Sequence, residues 1–295
     1  MRALLKVAPA LMITGLAACG TPLPAQFESV ARSGVQFAQS VPPLLDTALN
    51  EAIAANSATL IMAHATASED ARRTALLEAN SAYRERGKIF ADVGTHARLL
   101  KAYFVAMEAL ADTSGDSAIG STAESLVNEM ASLSPTIGSF EIGGRSVASI
   151  TGSVAPLVVA DLRSAALEWE LRANGDAVVD AIELQRAFLQ GVAGDLEAQL
   201  DAEQQDQAFQ SVIEPYLASE PLPSDWATLR AAALQQTPSV ATLTTAASTA
   251  ESLKISFIAM AEGNTSGGLF AQLQNDANDL AALVRALTQT PPAAS

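Results

Sequence analysis

One periodicity constrains this chain more than any other feature of its sequence. Leu76, Tyr83, Phe90, Ala97, Phe104 and Ala111 recur every seven residues, and Ala79, Arg86, Val93, Leu100 and Met107 lie three positions after the first five. Only Arg86 interrupts the apolar pattern, so the spacing predicts one long helix over 68–111 with a continuous stripe to bury. Ile89, Tyr103 and Leu110 widen that stripe on one flank. A face that broad calls for several neighbouring helices, which points to a multi-helix bundle rather than a two-stranded coil. Gly87 and Gly94, one heptad apart on the other flank, read as places where a second helix approaches closely. Ser68 reads as the N-cap, and Glu69 and Asp70 suit the positive helix start.

The remainder of the chain repeats this grammar. A helix over 27–39 is expected to stop at Val41-Pro42-Pro43, with a second from 44 to 65, because proline restricts the residue before it and opens helices readily. Thr113-Ser114-Gly115-Asp116 separates the long helix from a shorter one over 118–133, which Ser134-Pro135 should end. The stretch 135–152, with Gly138, Gly143, Gly144 and Gly152 among Ile137, Phe140, Ile142, Val147 and Ile150, reads as a short β-hairpin or an irregular tongue. Helical spacing resumes with Leu162, Ala166 and Trp169; Asn174-Gly175-Asp176 fits either a helical hairpin or the interior of one long helix. Val178, Ile182, Leu189, Val192 and Leu196 form another stripe, with Gln185 polar among them. The polar run 201–207 extends it, and Phe209, Val212, Ile213, Tyr216 and Leu217 restore an apolar face. Pro221-Leu222-Pro223 and Thr237-Pro238 bracket a short helix bearing Trp226, Leu229 and Leu234. Helices over 239–261 and 269–287 follow, the last with Leu273, Leu280, Leu283 and Leu287 inward.

Composition fits that class and narrows the chemistry. Hydrophobic residues are 49% of the chain but aromatics only 5%, as suits helices packed through small side chains. The chain has 17 Lys plus Arg against 32 Asp plus Glu, a field that disfavours nucleic acid and suits cationic partners. His64 and His96 are the only histidines, with no spaced metal motif and no triad around them, and both read as structural. Glu168 and Glu170 flank Trp169 and point apart, whereas Asp176, Asp180 and Glu183 share a helix face that reads as solvated. No catalytic residue, cofactor or metal is expected.

The amino terminus carries the most specific motif. Arg2 and Lys6 precede an apolar run over 7–15, the layout of a secretory signal peptide and too short for a permanent span. Leu16-Ala17-Ala18-Cys19 at its end resembles the lipobox of bacterial lipoproteins. The resemblance implies cleavage before Cys19, lipidation of its thiol, and acylation of the new amino terminus with chains such as palmitate. By the sorting rule of enteric lipoproteins, Gly20 in place of Asp favours the outer over the inner membrane. Cys19 is the only cysteine, so no intramolecular disulfide is available.

The expected organisation is a signal peptide over 1–18, a lipidated tether over 19–26, an all-α, elongated bundle of long antiparallel helices over 27–288, and a flexible tail over 289–295. The expected role is structural, scaffolding or protein-binding in the cell envelope, with the membrane reached through lipid on Cys19 and a protein partner beyond it. Two other readings remain at this stage: a membrane-active protein inserting an apolar tongue over 135–159, and a small-ligand or cation receptor lined by the acidic face.

Overall fold

The computed structural model describes residues 23–64, 67–112, 117–152, 155–160, 165–218, 221–233, 237–264 and 266–289. Among them, helices dominate: α1 (Leu23–His64), α2 (Glu69–Asp112), α3 (Ser117–Ser139), α4 (Ala165–Ala208), α5 (Glu214–Leu217), α6 (Trp226–Ala233), α7 (Pro238–Ala261) and α8 (Gly267–Gln289). Strands β1 (Glu141–Ile142) and β2 (Arg145–Ser146) pair antiparallel between α3 and α4, and a π-helical turn, Phe209–Ile213, joins α4 to α5. The all-α bundle expected from the heptads is what these helices build.

The first helix departs from expectation. α1 runs unbroken through Pro42 and Pro43, although neither can donate to the carbonyl four residues back. Packing on both sides of the prolines explains it. Phe37, Val41, Leu44, Leu45 and Ala48 are all buried, so stopping the helix would uncover one half of its apolar face. α1 also begins at Leu23, inside the stretch read as tether, and Gln26 is already buried. Likewise α3 continues through Pro135 to Ser139, with Ile137 in the core.

α1 is the helix on which the others assemble, packing against α2, α4, α7 and α8. α2 returns antiparallel to it. Phe104 of α2 sits against Gly34 of α1, so closely that a Cβ on Gly34 would enter the ring. Phe104 also makes edge contacts with Tyr103 (5.9 Å) and Phe257 (6.3 Å), while Phe188 of α4 meets Phe90 at 5.5 Å. These edge-to-face arrangements lock α1, α2, α4 and α7 into one core. Gly87 and Gly94 do face α1, but added Cβ atoms there would stand 3.7 Å from Leu49 and 3.8 Å from Pro42, ordinary contact distances. The close approach lies at Gly34 instead.

The α2 stripe is used only in part. From Ile89 to Leu110 it is buried, whereas Leu76, at its start, is 49% exposed. The ends of α1 and α2 thus project past the bundle as a two-helix tip. The last tie below it is Tyr83, whose hydroxyl donates to the Ala52 carbonyl at 2.9 Å.

Elsewhere the open questions resolve. α4 is one helix through Asn174-Gly175, with Leu157 resting on the glycine. Gly143 (φ 58°) and Gly144 (φ 76°) supply the two positive φ angles of a tight hairpin turn, so the hairpin reading of 135–152 holds. Its Ile142 and the following Val147 are buried, and Phe140 lies 6.2 Å from Phe188. Trp169, Ile213, Tyr216, Leu217 and Leu283, read as inward from their spacing, are exposed. The 113–116 break, Leu162 and Leu234, and 290–295 of the expected tail lie outside the described residues.

Two glycine substitutions should therefore act oppositely. Gly34→Ala is expected to destabilise by about 2 kcal/mol through overpacking against Phe104. Gly94→Ala is expected to stabilise by about 0.5–1 kcal/mol through helix propensity. Urea denaturation of both variants checks the pair.

Candidate functional site

The most concentrated polar chemistry among the described residues sits where α4, α7 and the segment after the hairpin meet. Glu183 of α4 is 2% exposed yet ionised. Its carboxylate accepts from Arg186 Nη2 at 2.6 Å and Nε at 2.9 Å, from Lys254 Nζ at 2.7 Å, and from the Gly152 amide at 2.7 Å. Arg186 stands three residues on along the same helix, which fixes its approach. Lys254 comes from α7 and is shared with Glu251 at 2.7 Å. Burial alone would raise the Glu183 pKa, but these donors outweigh it and bring it down to about 2. Burial lowers Lys254, but Glu183 and Glu251 outweigh it and raise it; Arg186 is raised chiefly by Glu183, against burial, with Glu251 adding to it.

This arrangement clamps rather than reacts. A carboxylate with that many donors has no lone pair to offer a substrate proton, and its two cations hold their charge. The network ties α4 to α7 and to the hairpin's exit. Two open clefts flank it. One, of about 550 Å³, is lined by Asp180, Glu183, Ser134, Ser139 and Thr151. The other, of about 540 Å³, is lined by Arg186, Gln190, Glu197, Thr244, Ser248 and Glu251.

The residues singled out in the sequence are dispersed by the fold. Asp176 accepts the Leu157 amide at 2.6 Å. Asp180 is exposed, with its pKa raised by desolvation and by Asp176 and Glu183. The face read as wholly solvated is therefore split, with Glu183 turned inward. No group of His, Cys, Asp and Glu among the described residues is placed to hold a metal ion. Glu168 and Glu170 diverge as expected: Glu168 pairs with Arg172 at 2.9 Å, while Glu170 is buried, accepts from Asn174 at 2.9 Å, and has its pKa raised by burial.

His64 ends α1 in solvent. His96 is buried, with Nδ1 2.9 Å from Gln185 Nε2, so the polar member of the α4 stripe meets the histidine of α2. Burial lowers its pKa to about 4 and keeps it neutral. Cys19 lies outside the described residues.

Sequence reading missed Lys254, Arg186 and Glu251. One signal for Lys254 was present: it is the only Lys or Arg between Arg230 and Arg285, on a helix otherwise of small and apolar residues. A lone cation in such a helix requires a buried anion or a route to water.

No family model matches this chain, and comparison with curated proteins and with solved structures gives no match. No helix among the described residues is long and apolar enough to cross a membrane.

The two titrations separate by pH. The folded pKa of His96 is below its unfolded value of 6.5, so the stability it contributes is complete above 6.5 and is lost as pH falls toward 4, by up to about 3 kcal/mol. Glu183 is also depressed, and its contribution is lost as pH falls from 4.5 toward 2. His96→Leu should flatten the first window and Glu183→Gln the second, in urea melts across the acid range. Lys254→Met should cost about 3 kcal/mol at neutral pH, because it leaves a buried carboxylate short of a partner.

Proposed function

We propose that the chain is a lipid-anchored protein of the cell envelope, held by acyl chains on Cys19, and that its helical body is a scaffold that binds another protein rather than a catalyst. One observation carries the reading. α1 begins at Leu23, four residues after Cys19, and is the helix against which α2, α4, α7 and α8 pack. Acyl chains at Cys19 would therefore hold the central strut of the bundle through a very short link. The far end of a 42-residue helix lies about 60 Å from its start. That reach suits a spacer which presents one end away from its anchor.

Burial of Ile137, Ile142 and Val147 supports the scaffold over insertion of the 135–159 segment, since pulling the hairpin out would open the core. The clamp on Glu183 likewise leaves that carboxylate no charge to spend on a cation.

Expression of the full chain in a lipoprotein-processing bacterium with radiolabelled palmitate tests the anchor. The wild type should incorporate label and partition with membranes, and Cys19→Ala should do neither. A Cys19→Ala chain that still partitions with membranes would contradict it.

A further inference from the structure

Two exposed surfaces of opposite character lie at the same end of this molecule. The ion pair Arg86–Asp195, the contact of Gln199 with Tyr83 and that of Ser239 with Glu51 set the end of α4 and the start of α7 beside the place where α1 and α2 leave the bundle. The described residues 209–218 and 221–229 therefore emerge next to the two-helix tip. They form an arm that packs on the end of α4 and on itself: Trp226 donates to the Val212 carbonyl at 2.9 Å and stacks on Tyr216 at 5.5 Å.

The arm is apolar and acidic. Tyr216 and Leu217 are 64% and 75% exposed, with Ile213 and Leu222 beside them in sequence and also exposed. The charged residues over 209–229 are Glu214, Glu220 and Asp225, and no Lys or Arg occurs between Arg186 and Arg230. The tip is the reverse. Arg73, Leu77, Arg84 and Lys88, at helical spacings of four, seven and four, share the face of α2 opposite its buried stripe, and all are exposed. Asp70, one heptad before Leu77, is the carboxylate on that face; only Arg73 there has a carboxylate partner, Glu69 in the preceding turn, while Glu78 and Glu85 fall on the flank. In an acidic chain this is an unusual concentration of cationic side chains around an exposed leucine.

Within one molecule the two surfaces do not meet, since Leu77 and Leu217 are both open to solvent. We propose that they meet between two copies of this chain: the cationic, leucine-bearing face of α2 in one copy lies on the acidic, aromatic arm of the other, reciprocally about a two-fold axis. Because both surfaces belong to one pole, two molecules standing side by side and parallel make both contacts at once, the self-complementary geometry of a two-fold dimer. Leu77, Tyr216 and Leu217 lose exposed area there, and the charges around them select partner and register. The inference does not depend on lipid at Cys19, although copies anchored in one membrane would already stand in that orientation.

Differently tagged full-length copies, one carrying Leu77→Cys and the other Leu217→Cys, test this when expressed together in an oxidising compartment. Both copies also carry Cys19→Ser, so each has one thiol, at a solvent-exposed position; the fold is spared and any disulfide has to be intermolecular. The expected result is a mixed-tag dimer that neither variant forms alone and that is lost when Arg84→Glu and Lys88→Glu are added to the Leu77→Cys copy. Absence of the mixed dimer, its survival of the charge reversal, or cross-linking of Leu217→Cys only to a different basic protein would each overturn the proposal.

Discussion

The burial of α1 across Pro42 and Pro43 is the constraint on which the rest of this structure depends. Two prolines in a helix interior cost about 3 kcal/mol each or more. Phe37, Val41, Leu44 and Leu45 are buried around them, and each contributes about 1.5–3 kcal/mol when removed from water. With all four in one core the burial term, about 6–12 kcal/mol, matches or exceeds the proline term of about 6. That requires α2, α7 and α8 to be in place, so the helix and its neighbours are stable together or not at all.

From this follows how polar groups are treated. A core of small side chains and few aromatics has little slack, and two of the polar contacts inside it join helices that are distant in sequence: Gln185 with His96 and Glu183 with Lys254. These contacts set rotation and register between α2, α4 and α7, which apolar stripes alone define loosely. Glu183 has the widest reach, because its donors also secure the backbone at Gly152. Glu170 acts in the opposite sense: its raised pKa means that ionising it opposes folding as pH rises above 4.5.

Much of the fold was legible in the sequence, for identifiable reasons. The α2 stripe from Ile89 onward and the α4 stripe from Val178 to Leu196 are buried, because a period near 3.5 on residues of that size has no other stable use. Gly143 and Gly144 were among the four glycines behind the hairpin-or-tongue reading of 135–152, and their two positive φ angles make it a hairpin. What failed was inference about partners. Leu76 continues the pattern of Phe90, yet no described residue buries it, and periodicity carries no information about whether a neighbouring helix extends that far. The prolines misled because the local rule is overridden by burial supplied by helices as far along the chain as α7 and α8, about 200 positions or more away. Of the chemically suspect residues, the separation of Glu168 from Glu170 was readable from helical geometry. The inward turn of Glu183 was not, because its partner Lys254 lies 71 residues on.

Amide hydrogen exchange along α1 tests the central claim most directly. If the helix is one cooperative element held by the core, amides of Leu44, Leu45 and Ala48, just beyond the prolines, should exchange only through global unfolding, with protection within about 1 kcal/mol of that at Phe37 and Phe104, while amides near His64 exchange fast. Rapid exchange at Leu44, Leu45 and Ala48 alongside slow exchange at Phe37 would show two separate helices meeting at the prolines, and would contradict this account.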